Sequence, residues 1–499
     1  MAAVVENTPG ADVQPASPAP MGSRVFRGSW ISVTSQGVQL ALRLAATVVL
    51  ARLLTPDAYG LVAMVTVVTG FIGLFKSLGL GTATIQAPQL TTAQLNSLFW
   101  LNVAFGALAM AITMAVAPLL AWFYGEPEVK ALAVGLSITF LIGGFAVQHG
   151  ALLRRDFRFG MAAAIEIAST IVGALTTVGL ALADAGPWAL VGGSIALELT
   201  GLVLVWRAVG WRPAHPSFRT DIGEIVGLGR DLTQVNVLIY WARNLDNFLI
   251  GRFWGTVALG LYTRAYQLLL LPLQQVTTPL STVAIAALSR LHGEPARYRQ
   301  AYVRLLEKIA IVCVPLTAFL FAEAHRLIEL ALGAQWLGVV PIFRPLAIAG
   351  LVQPVSATCI WLLISQGRRR DLRWWSVIGP MLTCAAIVIG VQWGPAGVAV
   401  SYAAGESVVR MPLLLWFVGR SGPVGARSII RAVGPGVFAG TMVVAVCAAF
   451  ERAAPSNGPV ALGVMWLLSL AAAAAALFAL PAGRHAWADI RGLVAGAAR

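Results

Sequence analysis

Two arginines stand near the middle of long apolar stretches, where a charged side chain is costly. Arg43 lies in the first such stretch, and Arg243 lies two hundred residues further along the chain. An arginine at the centre of a membrane helix costs at least ~2.5–3.5 kcal/mol on insertion scales, so such a residue is a candidate for function. The same offset relates the residues that follow each arginine: Arg52, Ala58, Gly60 and Leu61 match Arg252, Ala258, Gly260 and Leu261. A charged helical hairpin that occurs twice is typical of a transporter built from two related halves.

Each arginine shares a helical face with amide or hydroxyl side chains. Around Arg243, polar residues follow one another at spacings of four, three and four, which places them on one side of a helix. In the alternative reading, the arginines bond backbone carbonyls or pair with acids, and Asp246 lies one turn from Arg243. We predict that these faces line a polar interior and bind substrate through the following side chains: Gln36, Arg43, Asn236, Arg243, Asn247, Arg264 and Gln267.

Arginine at these positions indicates a substrate that carries phosphate. A guanidinium stays charged when desolvated and donates two parallel hydrogen bonds to phosphate oxygens, which lysine does not. Arg344 and Arg410 stand alone in two further apolar stretches and are added to the predicted site. A cavity with several arginines and amides suits an anionic head and a polar body. An exporter of cationic drugs would instead need acids and aromatic rings.

Four carboxylates also fall inside apolar stretches: Glu166, Glu198, Asp246 and Glu406. Each is a candidate for binding a proton or a sodium ion and coupling it to transport. In the alternative, each is the charge partner of a nearby arginine. Neither the histidines nor the cysteines show a metal-ligand spacing, so no metal site and no cofactor are predicted.

The composition excludes a soluble protein. Hydrophobic residues make up 58% of the chain and charged residues 11%, a balance that no water-facing surface could use. The chain contains about fourteen apolar stretches, each near the ~20 residues that cross a bilayer as a helix. Alternating strands are absent, which argues against a barrel. We therefore predict an all-α polytopic membrane protein with about fourteen transmembrane helices.

The predicted helices form two lobes of six, and a pair of helices follows them. Because six is even, both lobes enter the membrane in the same orientation, so a pseudo-two-fold axis along the membrane normal is expected. The C-terminal pair of helices carries charge only at its flanks and is expected to have a peripheral role. Met21 is an alternative start of the protein. The predicted divisions are a disordered cytoplasmic tail at 1–22, the first lobe at 23–208, a cytoplasmic linker at 209–226, the second lobe at 227–418, the helix pair at 419–480 and a cytoplasmic tail at 481–499.

The distribution of arginine sets the expected orientation. One set of connections is rich in arginine, as at 154–158 and 368–373, and the opposite set is poor in it. Cytoplasmic loops carry the excess of positive charge, so both termini are predicted to be cytoplasmic in the inner membrane. The net charge of +14 is explained by this topology and by anionic lipid, so no nucleic-acid partner is expected.

Several motifs in the first 160 residues resemble a known family. They are ARLLTPDAYGLVAM at 51–64, LGLG at 78–81, LFWLN at 98–102, FYGEP at 123–127 and LLRRDFRF at 152–159. Together they resemble the Wzx-type polysaccharide flippases of bacteria, in particular the colanic-acid exporter branch.

The resemblance implies the fold of the multidrug/oligosaccharidyl-lipid/polysaccharide (MOP) exporters, with two six-helix lobes around a central cavity. It also implies transfer of an undecaprenyl-pyrophosphate-linked oligosaccharide across the inner membrane by alternating access, for exopolysaccharide or lipopolysaccharide synthesis. Cationic residues in the cavity are characteristic of this family, which agrees with the separate argument for Arg43, Arg243 and Arg264. The expected partners are the lipid-linked oligosaccharide, membrane lipids, a polysaccharide polymerase and a chain-length regulator.

Three other functions stay open from the sequence. The first is a related exporter with another cargo, such as the peptidoglycan lipid precursor or a drug. The second is a polytopic polysaccharide polymerase or ligase, which is expected to need a large extracytoplasmic loop with catalytic residues, and none is visible. The third is a membrane scaffold in a biosynthetic complex. The glycan, the coupling ion and the oligomeric state are not determined by the sequence.

Overall fold

A computed structural model describes residues 21–75, 80–87, 90–215, 223–453 and 458–479. Nearly all of these residues are helical, and none of them lies in a strand. Inside a bilayer no water is available to bond backbone amides and carbonyls, and a helix satisfies these groups within its own segment. The predicted all-α class is confirmed.

The contacts of the chain divide it into two compact units, Met1–Asn244 (unit 1) and Leu245–Arg499 (unit 2). The long helix α8 runs from unit 1 into unit 2, with an internal break at Gly255, where φ is 80°. The preceding helices are α1 Met21–Leu53, α2 Pro56–Gly73, α3 Leu80–Gln86, α4 Thr92–Tyr124, α5 Glu128–Arg155, α6 Phe159–Leu182 and α7 Trp188–Val209, and α8 itself is Gly223–Arg290.

The helices after α8 belong to unit 2. A short 3-10 helix, Ala334–Val339, precedes α11, and a π-helical turn, Gly405–Arg410, joins α13 to α14. The helices are α9 Pro295–Ala322, α10 Ala324–Leu332, α11 Val340–Ser365, α12 Arg369–Gly390, α13 Gly394–Ala404, α14 Met411–Gly419, α15 Ala426–Ala453 and α16 Pro459–Ala479.

Ten helical stretches among the described residues are long and apolar enough to cross a membrane, or eleven if the bent α8 counts as one span. This count takes 369–419 as a single stretch, although Gly394, with φ 78°, separates α12 from α13. The protein is therefore a multi-pass membrane protein. The number fourteen stays a prediction, as do the predicted bounds of the lobes.

Local sequence sets the helix ends that bracket the candidate site. The side chain of Thr55 accepts a hydrogen bond from the Ala58 amide, and Pro56 occupies the first turn of α2, which is its favoured place. Two hundred residues later, Gly255 makes the equivalent break inside α8. Its positive φ suits glycine, which has no Cβ.

Small residues let the helices of each unit pack closely. A Cβ on Gly106 of α4 would lie 2.6 Å from the Phe140 carbonyl oxygen of α5. A Cβ on Gly436 of α15 would lie 2.6 Å from the Ala310 carbonyl oxygen of α9. Helix α15 packs along α9 in this way, and the peripheral role expected for the C-terminal pair stays a prediction.

Candidate substrate and coupling site

Arg43 is exposed on α1, while Gln39 and Thr47, one turn to either side, are buried. Its guanidinium forms no ion pair or hydrogen bond with any residue that the structure describes. Arg243 on α8 is likewise exposed and has no such partner within the described ranges. Both charges are therefore available to a ligand. The side chains of Gln36 and Asn236 lie outside the described residues.

The burial of residues around the two helix breaks follows the repeat seen in the sequence. Leu50 and Ile250, at equal places before the breaks, are both buried. Gly60 and Gly260, after the breaks, are buried as well. The offset of two hundred residues therefore relates two similar local structures, each with exposed arginines at equal places.

Arg264 and Gln267 contact each other, as their spacing on one face of α8 requires. Arg264 is 8% exposed and donates a hydrogen bond of 2.8 Å to the side-chain oxygen of Gln267. Gln267 is exposed, so its amide nitrogen can still donate to a ligand. Asn247, the next predicted residue, has a buried side-chain oxygen with no hydrogen-bond partner among the described residues.

Asp246 is 5% exposed, accepts hydrogen bonds from a hydroxyl and an amide, and forms no ion pair with any residue that the structure describes. Tyr262 donates to one carboxylate oxygen at 2.8 Å, and the Asn247 amide donates to the other at 2.8 Å. The ring of Tyr262 stacks on Tyr266, and the hydroxyl of Tyr402, beside Tyr266, accepts from Gln353 at 3.2 Å. A buried carboxylate is costly to keep charged, so Asp246 stays a candidate for taking up a proton or a sodium ion.

Glu406 is neutralised by Arg410, the alternative that the sequence left open. One guanidinium nitrogen of Arg410 donates to both carboxylate oxygens of Glu406 across the π-helical turn, and the Glu406 side chain is 1% exposed. Arg410 also lies 5.5 Å above the ring of Trp375, and Ser356 donates to Glu406 at 3.4 Å. The pair fixes both charges within unit 2. Turns of this kind are frequent at functional sites.

Two predicted acids in unit 1 have a different setting. Glu166 on α6 is exposed, and Glu198 on α7 is half-buried. Neither carboxylate forms an ion pair with any residue in the described part of the chain. The structure therefore gives no charge partner for either of them.

Arg344 lies near the start of α11 rather than mid-helix. It is exposed and lines a charged cavity with Glu323, His325, Arg326 and Glu451. Neither Arg264 nor Arg410 lines this cavity. The structure thus places Arg344 in a site of its own within unit 2.

A second repeat, at an offset of 210 residues, was not predicted. Phe157 and Gly367 both have a positive φ, 55° and 61°, just before α6 and α12. The amide of the next residue, Arg158 or Arg368, donates in each case to the carbonyl five residues back. Two turns of the same design therefore place an arginine at the same point in each unit.

Both turn arginines cap the C-terminal end of a later helix in their unit. Arg158 donates to the Ala208 carbonyl at the end of α7, at 2.9 Å. Arg368 donates to the Val418 carbonyl at the end of α14, also at 2.9 Å, and to the Phe417 carbonyl. A cation at a helix C-terminus is favourable, and here it also joins two helices. The shared sequence signal is a Leu-Leu pair with an arginine five residues after its second leucine, and an offset of two hundred does not find it.

A family model described as "Polysaccharide biosynthesis protein" matches residues 49–341, more than half of the chain. The chain belongs to this family. The match begins in α1 and ends at the start of α11, so it includes Arg243, Asp246 and Arg264.

Curated relatives agree with this family. The chain is 28% identical over 330 residues to "Teichuronic acid biosynthesis protein TuaB" of Bacillus subtilis (strain 168), covering 65% of this chain and 68% of that protein. It is 22% identical over 386 residues to "Lipopolysaccharide biosynthesis protein WzxC" of Escherichia coli (strain K12), covering 76% and 78%. It is 27% identical over 384 residues to "Succinoglycan biosynthesis transport protein ExoT" of Rhizobium meliloti (strain 1021), covering 75% and 76%.

Solved structures share the fold. An inward closed lipid II flippase MurJ superposes with a TM-score of 0.70 at 12% identity, over 90% of this chain and 98% of that one. An inward-facing MATE-family transporter of the MOP superfamily superposes with a TM-score of 0.56 at 16% identity, over 79% and 96%. The predicted MOP fold is confirmed.

Proposed function

We propose that this protein moves an undecaprenyl-pyrophosphate-linked oligosaccharide across the bacterial inner membrane by alternating access, for exopolysaccharide or lipopolysaccharide synthesis. Its family and its relatives are those of polysaccharide biosynthesis and transport, and its fold is that of MOP transporters. These similarities favour a transporter over a polymerase or ligase. Both termini would face the cytoplasm, and a polymerase and a chain-length regulator would act on the exported product.

One observation carries the proposal: Arg43 and Arg243 occupy equal places in a structural repeat, on apolar helices, with no counter-charge among the described residues. A desolvated guanidinium needs an anion, and a pyrophosphate offers oxygens for bidentate hydrogen bonds. The two arginines would bind the pyrophosphate of the lipid carrier.

The amide side chains of α8 would contact the sugars. Arg264 holds the side-chain oxygen of Gln267, which leaves the amide nitrogen of Gln267 to donate to sugar hydroxyls. Asn247 carries an acceptor oxygen that no described residue satisfies, and a sugar hydroxyl could donate to it. The prenyl chain would remain in lipid, where its burial costs nothing.

Asp246 is the best of the four candidate acids for coupling transport to an ion. Glu406 already has Arg410 as its cation, whereas Asp246 is held by a tyrosine hydroxyl and a backbone amide. A proton or a sodium ion on Asp246 would remove a charge that burial makes costly. The membrane potential would also contribute, at ~2.3 kcal/mol per charge for each 100 mV, and its inside-negative sense favours outward movement of an anion.

The test is export of a lipid-linked oligosaccharide by purified protein in liposomes. We expect Arg43→Ala and Arg243→Ala each to abolish export. Arg154→Ala is the matched control, because Arg154 is an exposed arginine outside these faces, and it should export normally. Lysine at 43 should restore little, because it keeps the charge and loses the fork. Normal export by both alanine variants, with normal membrane insertion, would refute the site.

A second arm tests the cargo. The liposomes are loaded either with the lipid-linked oligosaccharide or with the peptidoglycan lipid precursor, since the fold is shared with a lipid II flippase. Export of the oligosaccharide alone supports the proposal. Export of the precursor alone would replace it with the related exporter.

A further inference from the structure

Unit 2 contains ten residues more than unit 1 at one point of the repeat. In each unit a buried side-chain hydrogen bond joins the third predicted membrane helix to the fourth: Asn102 to Gln148, which are 46 residues apart, and Tyr302 to Thr358, which are 56 apart. The extra residues fall between α9 and α11, where unit 2 has α10 and the 3-10 helix. The equivalent connection in unit 1 is the short turn at 125–127.

This inserted segment builds one wall of a charged cavity of about 330 Å³. Glu323 and Arg326 form a buried ion pair of 2.8 Å in this wall. Arg344, at the start of α11, faces the same space, as does Glu451 from the end of α15. The extra helix α15 therefore completes a cavity that begins with the extra segment.

The charges of the cavity are unequally satisfied. Glu323 and Arg326 neutralise each other, with side chains only 2% and 10% exposed. Arg344 and Glu451, in contrast, form no ion pair or hydrogen bond with any residue in the described part of the chain. His325, with its side chain 54% exposed, lies 3.9 Å from Glu329 and adds a ring that can donate or accept. The cavity thus offers one guanidinium and one carboxylate that no described residue pairs, beside a buried ion pair whose charges cancel.

This combination matches a ligand with an anionic group on a hydroxyl-rich body. A guanidinium binds a carboxylate or phosphate through paired hydrogen bonds, and a carboxylate accepts from hydroxyls. The volume is near the lower end of the ~300–1,000 Å³ of small-molecule sites, so one or two sugar-sized groups fit. A neutral sugar would leave Arg344 without a counter-charge, and a bare anion would leave Glu451 without a donor.

We propose that the cavity lined by Arg344, His325 and Glu451 binds an anionic, hydroxyl-rich group, with Arg344 on the anion and Glu451 on the hydroxyls. The proposal rests on the proposed function, because it names an acidic sugar of the transported glycan as one source of this group. The other source with the same chemistry is the headgroup of an anionic phospholipid.

The test measures binding to the purified full chain in nanodiscs of phosphatidylcholine, by calorimetric titration with glucuronate and with glucose. Glucuronate should bind at least about tenfold more tightly than glucose, since only glucuronate offers the anion. Arg344→Gln should remove this preference, and Glu451→Gln should weaken glucuronate. Arg452→Gln is the matched control, because Arg452 is exposed beside Glu451 and does not line the cavity.

A second arm repeats the titration in nanodiscs that contain phosphatidylglycerol. If the headgroup of phosphatidylglycerol competes for the cavity, glucuronate binding should be lost in this lipid and restored at a higher glucuronate concentration. That result would assign the site to lipid headgroups as well as to sugars. Equal binding of glucose and glucuronate, or wild-type glucuronate binding by Arg344→Gln, overturns the proposal.

Transport separates this inference from the function on which it rests. If the cavity selects acidic glycans, Arg344→Gln should lower export of an acidic oligosaccharide and leave export of a neutral one unchanged. Equal loss of both would overturn the inference without touching the proposed function. Failure of the proposed function would instead be seen as no export of either oligosaccharide by the wild-type protein.

Discussion

The turn arginine of unit 2 should stabilise that unit far more than its counterpart stabilises unit 1. Arg368 donates to the carbonyls of Phe417, Val418 and Ser421 and to the carboxylate of Asp371, with its side chain 10% exposed. Arg158 is exposed and, within the described ranges, donates one side-chain hydrogen bond, to Ala208. Because hydrogen bonds to charged groups contribute roughly 1.5–3 kcal/mol each and do not add fully, we expect Arg368→Ala to cost ~3–5 kcal/mol. Arg158→Ala should cost less than ~1.5 kcal/mol.

The cysteines provide a reporter for this difference. All four are in unit 2, and three of them, Cys313, Cys359 and Cys447, are buried. In a Cys384→Ser background, a maleimide dye should label the protein only as unit 2 unfolds. Arg368→Ala should lower the labelling midpoint by several degrees more than Arg158→Ala does.

The adjacent Arg369 supplies the control. It is exposed, and its side chain forms no hydrogen bond or ion pair with the described residues, so Arg369→Ala should leave the midpoint unchanged. The reasoning is refuted if Arg368→Ala labels at the wild-type temperature. It is also refuted if the Arg158 and Arg368 variants shift equally.

Three further variants test other contacts. Gly436→Val should lower the same labelling midpoint, because a Cβ there would lie 2.6 Å from a carbonyl oxygen of α9. Gly434→Val is the control and should not lower it, because a Cβ there would have nothing within 4 Å. Equal midpoints for the two variants would contradict the packing of α15. Gly70→Ala should lower the midpoint of the tryptophan-fluorescence transition, since its Cβ would lie 2.5 Å from the Tyr240 hydroxyl, and adding Tyr240→Phe should recover part of the loss. Asp246→Asn should keep the labelling midpoint and lose the stimulation of export by an imposed proton or sodium gradient. Stimulation as in the wild type would exclude Asp246 as the coupling acid.

Periodicity and composition were enough to predict the helices, because a bilayer forces each segment to satisfy its own backbone. The repeat of Arg43 and Arg243 was visible in the sequence because the helix break that follows each arginine needs particular residues. The second repeat was hidden because ten inserted residues change the offset. Only the shared hydrogen bonds of Arg158 and Arg368 show that the two turns correspond.

Contacts between distant residues could not be predicted. Arg344 stands alone in its apolar stretch, and nothing local shows that it faces Glu451, more than one hundred residues away. Likewise α15 carries charge only near its two ends, so its sequence does not indicate a contact with another helix. It becomes part of the packed core because Gly436 meets a backbone carbonyl of α9.

The amino-acid sequence by itself determined the class of protein and the places of the costly charges, because both depend on the composition of single segments in lipid. Which charges neutralise each other was decided only by the tertiary structure. Glu406 lies one turn from Arg410 and pairs with it. Asp246 lies at a similar distance along its helix from Arg243, yet its carboxylate accepts a hydrogen bond from the hydroxyl of Tyr262. Helical spacing allows both outcomes, and the residues packed against each acid select between them.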